Sequence, residues 1–210
     1  MKLLQRLRGE METARLLLRR WKRDDFQEYV QLMSDPEVML PAGAEPASTL
    51  EKAMTAFHRD QRNEGCFAIT LKETGQVVGR IKFQSDLRRF HVKSLSLGYE
   101  LRRDCWGNGY MPEALRAMIV RAFEREKVDV LGISHFSENT RSRRVIEKCG
   151  FRYEGTIHHA VRRSDGEIMD DMCYCILRED YPAWKELYGS GVESDQPLLE
   201  QENLSYRREK

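Results

Sequence analysis

Neither sign of charge dominates this 210-residue chain: 35 Lys and Arg stand against 34 Asp and Glu, a formal net charge of +1. A general nucleic-acid binder draws its affinity from a basic excess, so the balance argues against one and leaves room only for a local basic patch. Long apolar runs are also missing. No stretch approaches the roughly 20 residues of a membrane span, so no membrane partner is expected. The opening Met1-Lys2-Leu3-Leu4-Gln5-Arg6-Leu7-Arg8 has neither an apolar core nor a small-residue cleavage site. It reads as no signal peptide, and a cytoplasmic location follows as the expectation. Cysteine is sparse: the five (Cys66, Cys105, Cys149, Cys173, Cys175) form an odd, scattered set. Reduced thiols are a simpler reading than a disulfide framework. No metal is expected, because zinc-type CxxC spacing is absent. Cys173 and Cys175 would share one strand face, where Cys packs as a small apolar residue.

What is present suits a single domain with a tail: 40% hydrophobic and 33% charged residues give a core under a well-solvated surface. Residues 1–12 read as a polar lead-in and 189–210 as a polar tail with too few apolar residues to repay ordering. Between them the pattern switches repeatedly. Ala14 to Trp21 suits a first strand. A helix capped by Asp24 ends before Pro36, and a second is capped by Ser48, with Glu51 at the capping-box position, and runs to about Arg62. Alternation over Phe67, Ile69 and Leu71, then over Val77, Gly79, Ile81 and Phe83, predicts a hairpin around Gly75. Leu95, Leu97, Tyr99 and Leu101 give a third alternating run. A strong helix follows from Pro112, with a stripe of Leu115, Met118, Ile119 and Ala122. Val130 to Phe136 reads as a strand. Asn139 caps a short helix that stops at Gly150. Strands at about Tyr153–Arg162 and Met169–Leu177 flank a turn at Asp165-Gly166.

Two loops carry the chemistry. Trp106-Gly107-Asn108-Gly109-Tyr110-Met111-Pro112-Glu113-Ala114 joins a strand to a helix start. Two glycines let N–H groups converge there on an anion such as a pyrophosphate, helped by the helix terminus. A plain Gly-rich turn is the alternative, and the loop is neither Walker A nor GxGxxG. The second loop, from Glu138 to Phe151, opens a helix rich in Arg and Lys, either a solvated face or a partner for a diphosphate.

At these residues the chain resembles the GNAT N-acetyltransferases, and within them the RimJ/RimL ribosomal-protein acetyltransferase branch. The likeness runs from about residue 12 to 184. It rests on Thr13-Ala14-Arg15-Leu16-Leu17-Leu18-Arg19, Leu97-Gly98-Tyr99-Glu100-Leu101, Trp106 to Tyr110, Glu113-Ala114-Leu115, Asn139 with Ser142, Glu147 to Phe151, and Glu154-Gly155. It implies a GNAT domain over 13–188 of mixed α/β type. Its sheet would be mostly antiparallel and seven-stranded, splayed in the middle to admit acetyl-CoA, with about four helices around it. By resemblance the phosphate loop comprises Trp106, Gly107, Asn108, Gly109, Tyr110 and Met111, with Met111 where the family has a small residue. The strand Tyr99-Glu100-Leu101 would pair with the pantetheine amides, and Asn139 and Ser142 would bind the same arm. The family's usual proton-donating Tyr falls on Ile146. Ser142 takes its place as candidate acid, unless it only caps its helix. Glu100 is the candidate base, or else an ordinary paired carboxylate.

The implied activity is acetyl transfer to a primary amine, first a protein or peptide N-terminus, second a polyamine, amino acid or antibiotic. A non-catalytic acyl-CoA-binding module is the rival, and the sequence leaves a homodimer open. Met39, Pro41, Phe57, His58, His158, His159 and Tyr174 are acceptor-pocket candidates. Asp170 and Asp171 would attract a cationic amine or pair with Arg162 and Arg163 across the hairpin.

Overall fold

A computed structural model describes residues 9–190. Its eight-stranded sheet has the order β1-β2-β3-β4-β5-β6-β8-β7. The strands are β1 (Met11–Glu12), β2 (Leu16–Arg19), β3 (Cys66–Leu71), β4 (Val77–Ser85), β5 (Ser94–Leu101), β6 (Val130–Phe136), β7 (Arg152–Arg162) and β8 (Ile168–Leu177). The helices are α1 (Phe26–Met33), α2 (Pro36–Met39), α3 (Leu50–Arg62), α4 (Tyr110–Glu124), α5 (Thr140–Lys148) and α6 (Tyr181–Tyr188).

The sheet separates two apolar cores. Leu115, Met118, Ile119 and Phe123 of α4 pack against Leu16, Leu18, Phe67, Ile69, Ile81 and Leu97 on one side. Trp21, Tyr29 and Phe57 lie over Cys66, Ala68 and Val77 on the other. β3 is therefore buried on both faces, and its alternation sorts residues between two cores rather than between core and water.

One change of pairing shapes the molecule. β5 is antiparallel to β4 along its length, from Gly79↔Leu101 to Ser85↔Leu95. Its parallel ladder with β6 stops at Leu97↔Ile133. Beyond that point Gly98 to Leu101 are held only by β4, and Ser134 to Phe136 only by β8. The expected splay is this wedge.

The structure revises several local expectations. Among the described residues there are eight strands rather than seven, because Met11–Glu12, assigned to the lead-in, pairs with Leu17 and Leu18. Six α-helices, counted among the described residues, replace about four. The additions are α2, only four residues long, and α6, which was not expected although Tyr181, Trp184 and Tyr188 recur at helical spacing. In α6 Trp184 sits between Tyr181 and Tyr188, each ring centroid 5.8 Å away, and its indole N–H donates to the Cys149 carbonyl at 2.7 Å. Thr49, not Ser48, caps α3 by accepting the Lys52 N–H. Asp25, not Asp24, accepts the Lys22 N–H at the entry to α1. Pro112 is the third residue of α4, which begins at Tyr110. Residues 191–210, most of the expected tail, lie outside the described residues.

Candidate active site

The wedge opens into a cleft of about 330 Å³. Its floor is the loop before α4. Gly107 and Gly109 have φ of +81° and +76°, left-handed values that side chains resist. Gly109 is the N-cap of α4. The N–H groups of Tyr110 and Met111 therefore have no intrahelical acceptor. Those of Gly107, Asn108 and Gly109 have no backbone partner among the described residues. Free donors at a helix start form an anion cradle. A Cβ on Gly107 would meet nothing within 4 Å, so the loop is open on that side. Met111 departs from the family pattern without blocking the loop, because its side chain is buried in the main core.

A brace holds the cradle from the far end of the chain. Glu113 accepts from the Thr13 hydroxyl at 2.6 Å, the Arg15 amide at 2.8 Å and the Arg15 Nε at 2.8 Å. Arg15 Nη1 also donates to the Asn108 carbonyl at 2.9 Å. Burial would push the Glu113 carboxyl up. The hydrogen bonds from Thr13 and Arg15 outweigh it and hold the group below the usual carboxylate range. The sequence showed Thr13, Arg15 and Glu113 as fragments of a resemblance, with no sign that they touch.

The strand edge forms one wall. Arg102 N–H donates to the Val78 carbonyl, so by alternation Glu100 turns its backbone groups toward β4, while Tyr99 and Leu101 turn theirs into the wedge. The Leu101 carbonyl there accepts the Trp106 indole N–H at 2.9 Å. Arg141 of α5 stacks on the Trp106 ring at 3.9 Å, and Arg144 and Lys148 also line the cleft. Four of the basic residues noted in the sequence lie on α5; Arg143 is spent on Glu147 at 2.8 Å.

Ser142 resolves one alternative. Asn139 Oδ1 accepts the Ser142 N–H at 3.1 Å and so caps α5. The Ser142 hydroxyl is free of that duty and meets the Tyr99 hydroxyl at 2.8 Å. Tyr99, expected to act through its backbone, thus brings a phenol to the site. Burial raises its pKa far above the tyrosine range, outweighing the Ser142 hydrogen bond, so the phenol stays protonated. Asn139 Nδ2 donates to the Pro41 carbonyl at 3.1 Å, joining the two lips of the cleft and leaving one amide hydrogen for a ligand. Ile146 is fully buried in the main core.

Glu100 lines the cleft but is not a free carboxylate. Arg80 Nε and Nη2 donate to its two oxygens at 2.7 and 2.6 Å.

The acceptor-pocket candidates divide. Pro41 lines the cleft. Met39 and Phe57 are core residues. Tyr174 is buried against His135, and His58 is exposed. His158 and His159 stay out on the hairpin, where both engage Asp170 at 2.8 Å. The expected Asp–Arg pairs across the hairpin are not formed: Asp170 is taken by His158, Asp171 by Arg88 and Arg163 by Asp165, while Arg162 donates to the Gly166 carbonyl.

The donors fit a diphosphate followed by an amide chain. A family model described as an acetyltransferase (GNAT) domain matches residues 15–152. An uncharacterized N-acetyltransferase, p20 of Bacillus licheniformis, is 28% identical over 175 residues, covering 80% of this chain and 96% of its own. Two solved structures share the fold. One is spermidine N-acetyltransferase from Vibrio cholerae with CoA and spermine, 16% identical, TM-score 0.68, covering 80% of this chain and 98% of its own. The other is Mycobacterium smegmatis RimJ with CoA-disulfide, 19% identical, TM-score 0.69, covering 89% and 95%. The chain belongs to the GNAT acetyltransferases and is an acetyl-CoA-dependent acyltransferase.

Proposed function

We propose that the chain acetylates a primary amine, most readily the α-amine of a protein or peptide N-terminus, as a RimJ/RimL-type enzyme of the cytoplasm. The observation that carries the reading is the Ser142–Tyr99 hydroxyl pair, set between an open strand edge and an anion cradle. The N–H groups of Gly107 to Met111 hold the diphosphate, with Arg141, Arg144 and Lys148 balancing its charge. Tyr99 and Leu101 offer their edge to the pantetheine amides, as to an added strand. Trp106 fixes that edge through the Leu101 carbonyl, and Asn139 donates its remaining N–H.

The thioester of acetyl-CoA supplies the activated acyl group. As the amine nitrogen bonds to the acyl carbon, the carbon–sulfur bond breaks and an N–H proton leaves through Glu100 or water. Ser142 donates its proton to the departing sulfur, and the proton lost by the amine returns through water to Ser142 Oγ, so the serine ends the cycle protonated. Tyr99 donates to Ser142 Oγ, which frees the serine hydrogen for that task.

A small amine is the second reading, favoured by the likeness to a spermidine acetyltransferase and by two carboxylates, Glu37 and Glu100, on the cleft. Free-thiol release from acetyl-CoA, measured with N-terminal peptides and with polyamines, separates the two. Release with neither class, despite acetyl-CoA binding, would leave a non-catalytic binding module.

A further inference from the structure

Beneath the wedge, on the sheet face turned away from α4, lies a buried ion network drawn from four elements. Arg80 of β4 is 1% exposed, Asp60 of α3 2% and Glu100 of β5 5%. Besides its double bond to Glu100, Arg80 donates through Nη1 to Asp60 Oδ2 at 2.5 Å. The Tyr29 hydroxyl of α1 donates to the same oxygen at 2.7 Å.

A buried ion network of this kind is weak evidence for stability, since desolvation offsets the attraction. What it does reliably is place charge. Two carboxylates share one guanidinium, a formal excess of one negative charge. Tyr29 neither adds to it nor offsets it, because burial keeps its phenol protonated and neutral. Arg59 approaches Asp60 Oδ1 only at 3.9 Å, and from solvent. The neighbouring Cys66 thiol registers the setting: burial first, and Asp60 second, push it up to about 12.

The excess has one outlet. Of the four residues, Glu100 alone lines the cleft. Arg80 uses one lone pair on each Glu100 oxygen and leaves one on each. Glu100, its side chain 4% exposed, therefore keeps one acceptor position on each oxygen while held rigid.

We propose that this network is the acceptor's charge site: Glu100 receives the ammonium form of the incoming amine, and Arg80 and Asp60 are positioning residues that orient Glu100 and supply the negative charge drawing the cation in. The inference rests on the acetyl-transfer reading but extends it, since it fixes the acceptor as cationic on arrival.

The test is titration calorimetry with CoA bound, so that no transfer occurs. The probes are n-butylamine, protonated at neutral pH, and 2,2,2-trifluoroethylamine, mostly uncharged there. The wild type should bind n-butylamine at least tenfold more tightly. Asp60→Asn should lose about tenfold for n-butylamine alone, and Asp60→Glu should restore it, while CoA affinity stays within twofold in all three proteins. A merely structural Asp60 would affect both amines or neither. Equal binding of the two amines by the wild type overturns the proposal without any variant, as does an Asp60→Asn protein, folded by melting temperature, that keeps its preference. Wild-type protein that discriminates between the probes yet releases no thiol from acetyl-CoA with any amine would instead remove the transfer reading and leave the charge site standing.

Discussion

Ser142 carries a hydroxyl that its helix does not need. Because Asn139 supplies the cap, Ser142→Ala should leave melting temperature and acetyl-CoA affinity nearly unchanged while kcat falls by about 10²–10⁴-fold. Asn139→Ala should do the converse first, losing about 1 kcal/mol of helix stability. Both are checked by measuring turnover, affinity and melting temperature on one preparation. Wild-type turnover in Ser142→Ala would end its role as acid. Glu113 makes a pH-dependent contribution. Its folded pKa lies below the ordinary value, so the unfolded chain takes up the proton first as pH falls. The stabilisation is whole above about pH 5 and is lost as pH drops through the folded value. Glu113→Gln should therefore flatten the acid limb of the melting temperature below about pH 5. An unchanged slope would show that Thr13 and Arg15 do not hold this carboxylate.

At the scale of elements, the start of α4 depends on backbone conformation more than on side-chain room. A Cβ on Gly109 would point toward Arg15 Nη2, 3.5 Å away, rather than into open space. The expected damage from Gly109→Ala is thus the left-handed strain, about 1–2 kcal/mol, together with weaker acetyl-CoA binding as the cradle relaxes. Thermal melts and calorimetry would show both; a protein with unchanged binding would mean the loop is only a turn. In α6 the aromatic stack does the packing. Gly150 must stay bare there, since a Cβ would come within 2.7 Å of the Tyr188 ring. Trp184→Ala should cost about 3–5 kcal/mol, read by denaturant unfolding; a loss under 1 kcal/mol would mean α6 is not part of the fold's core.

Periodicity made the long elements legible, because burying one face of α4 or β5 requires repeated apolar positions. It failed for α2 and β1, which are too short to show a period and are held by contacts with distant residues; α6 does carry a period, in Tyr181, Trp184 and Tyr188, over only two turns. The Trp106 to Met111 loop and the Asn139 cap were readable because their chemistry is local. The Thr13–Arg15–Glu113 brace and the Glu100–Arg80–Asp60 network were not, since their members come together only when distant strands pair. Ser142 was readable as a candidate, but its release from capping required the Asn139 geometry.

For the whole molecule, the wedge follows from one parallel ladder that ends early, and every assigned role depends on the two strands staying apart there. Most of the chain braces that opening: β4 and β8 hold its sides, α4 begins at its floor, and Asn139 ties its lips to Pro41. The most direct measurement is free-thiol release from acetyl-CoA, followed with the wild type and Ser142→Ala on adding a panel of N-terminal peptides and polyamines. Amine-dependent release by the wild type, cut at least a hundredfold in the variant at equal acetyl-CoA affinity, is the result expected. Equal release by the two proteins, or none by the wild type while it binds acetyl-CoA, would contradict the account.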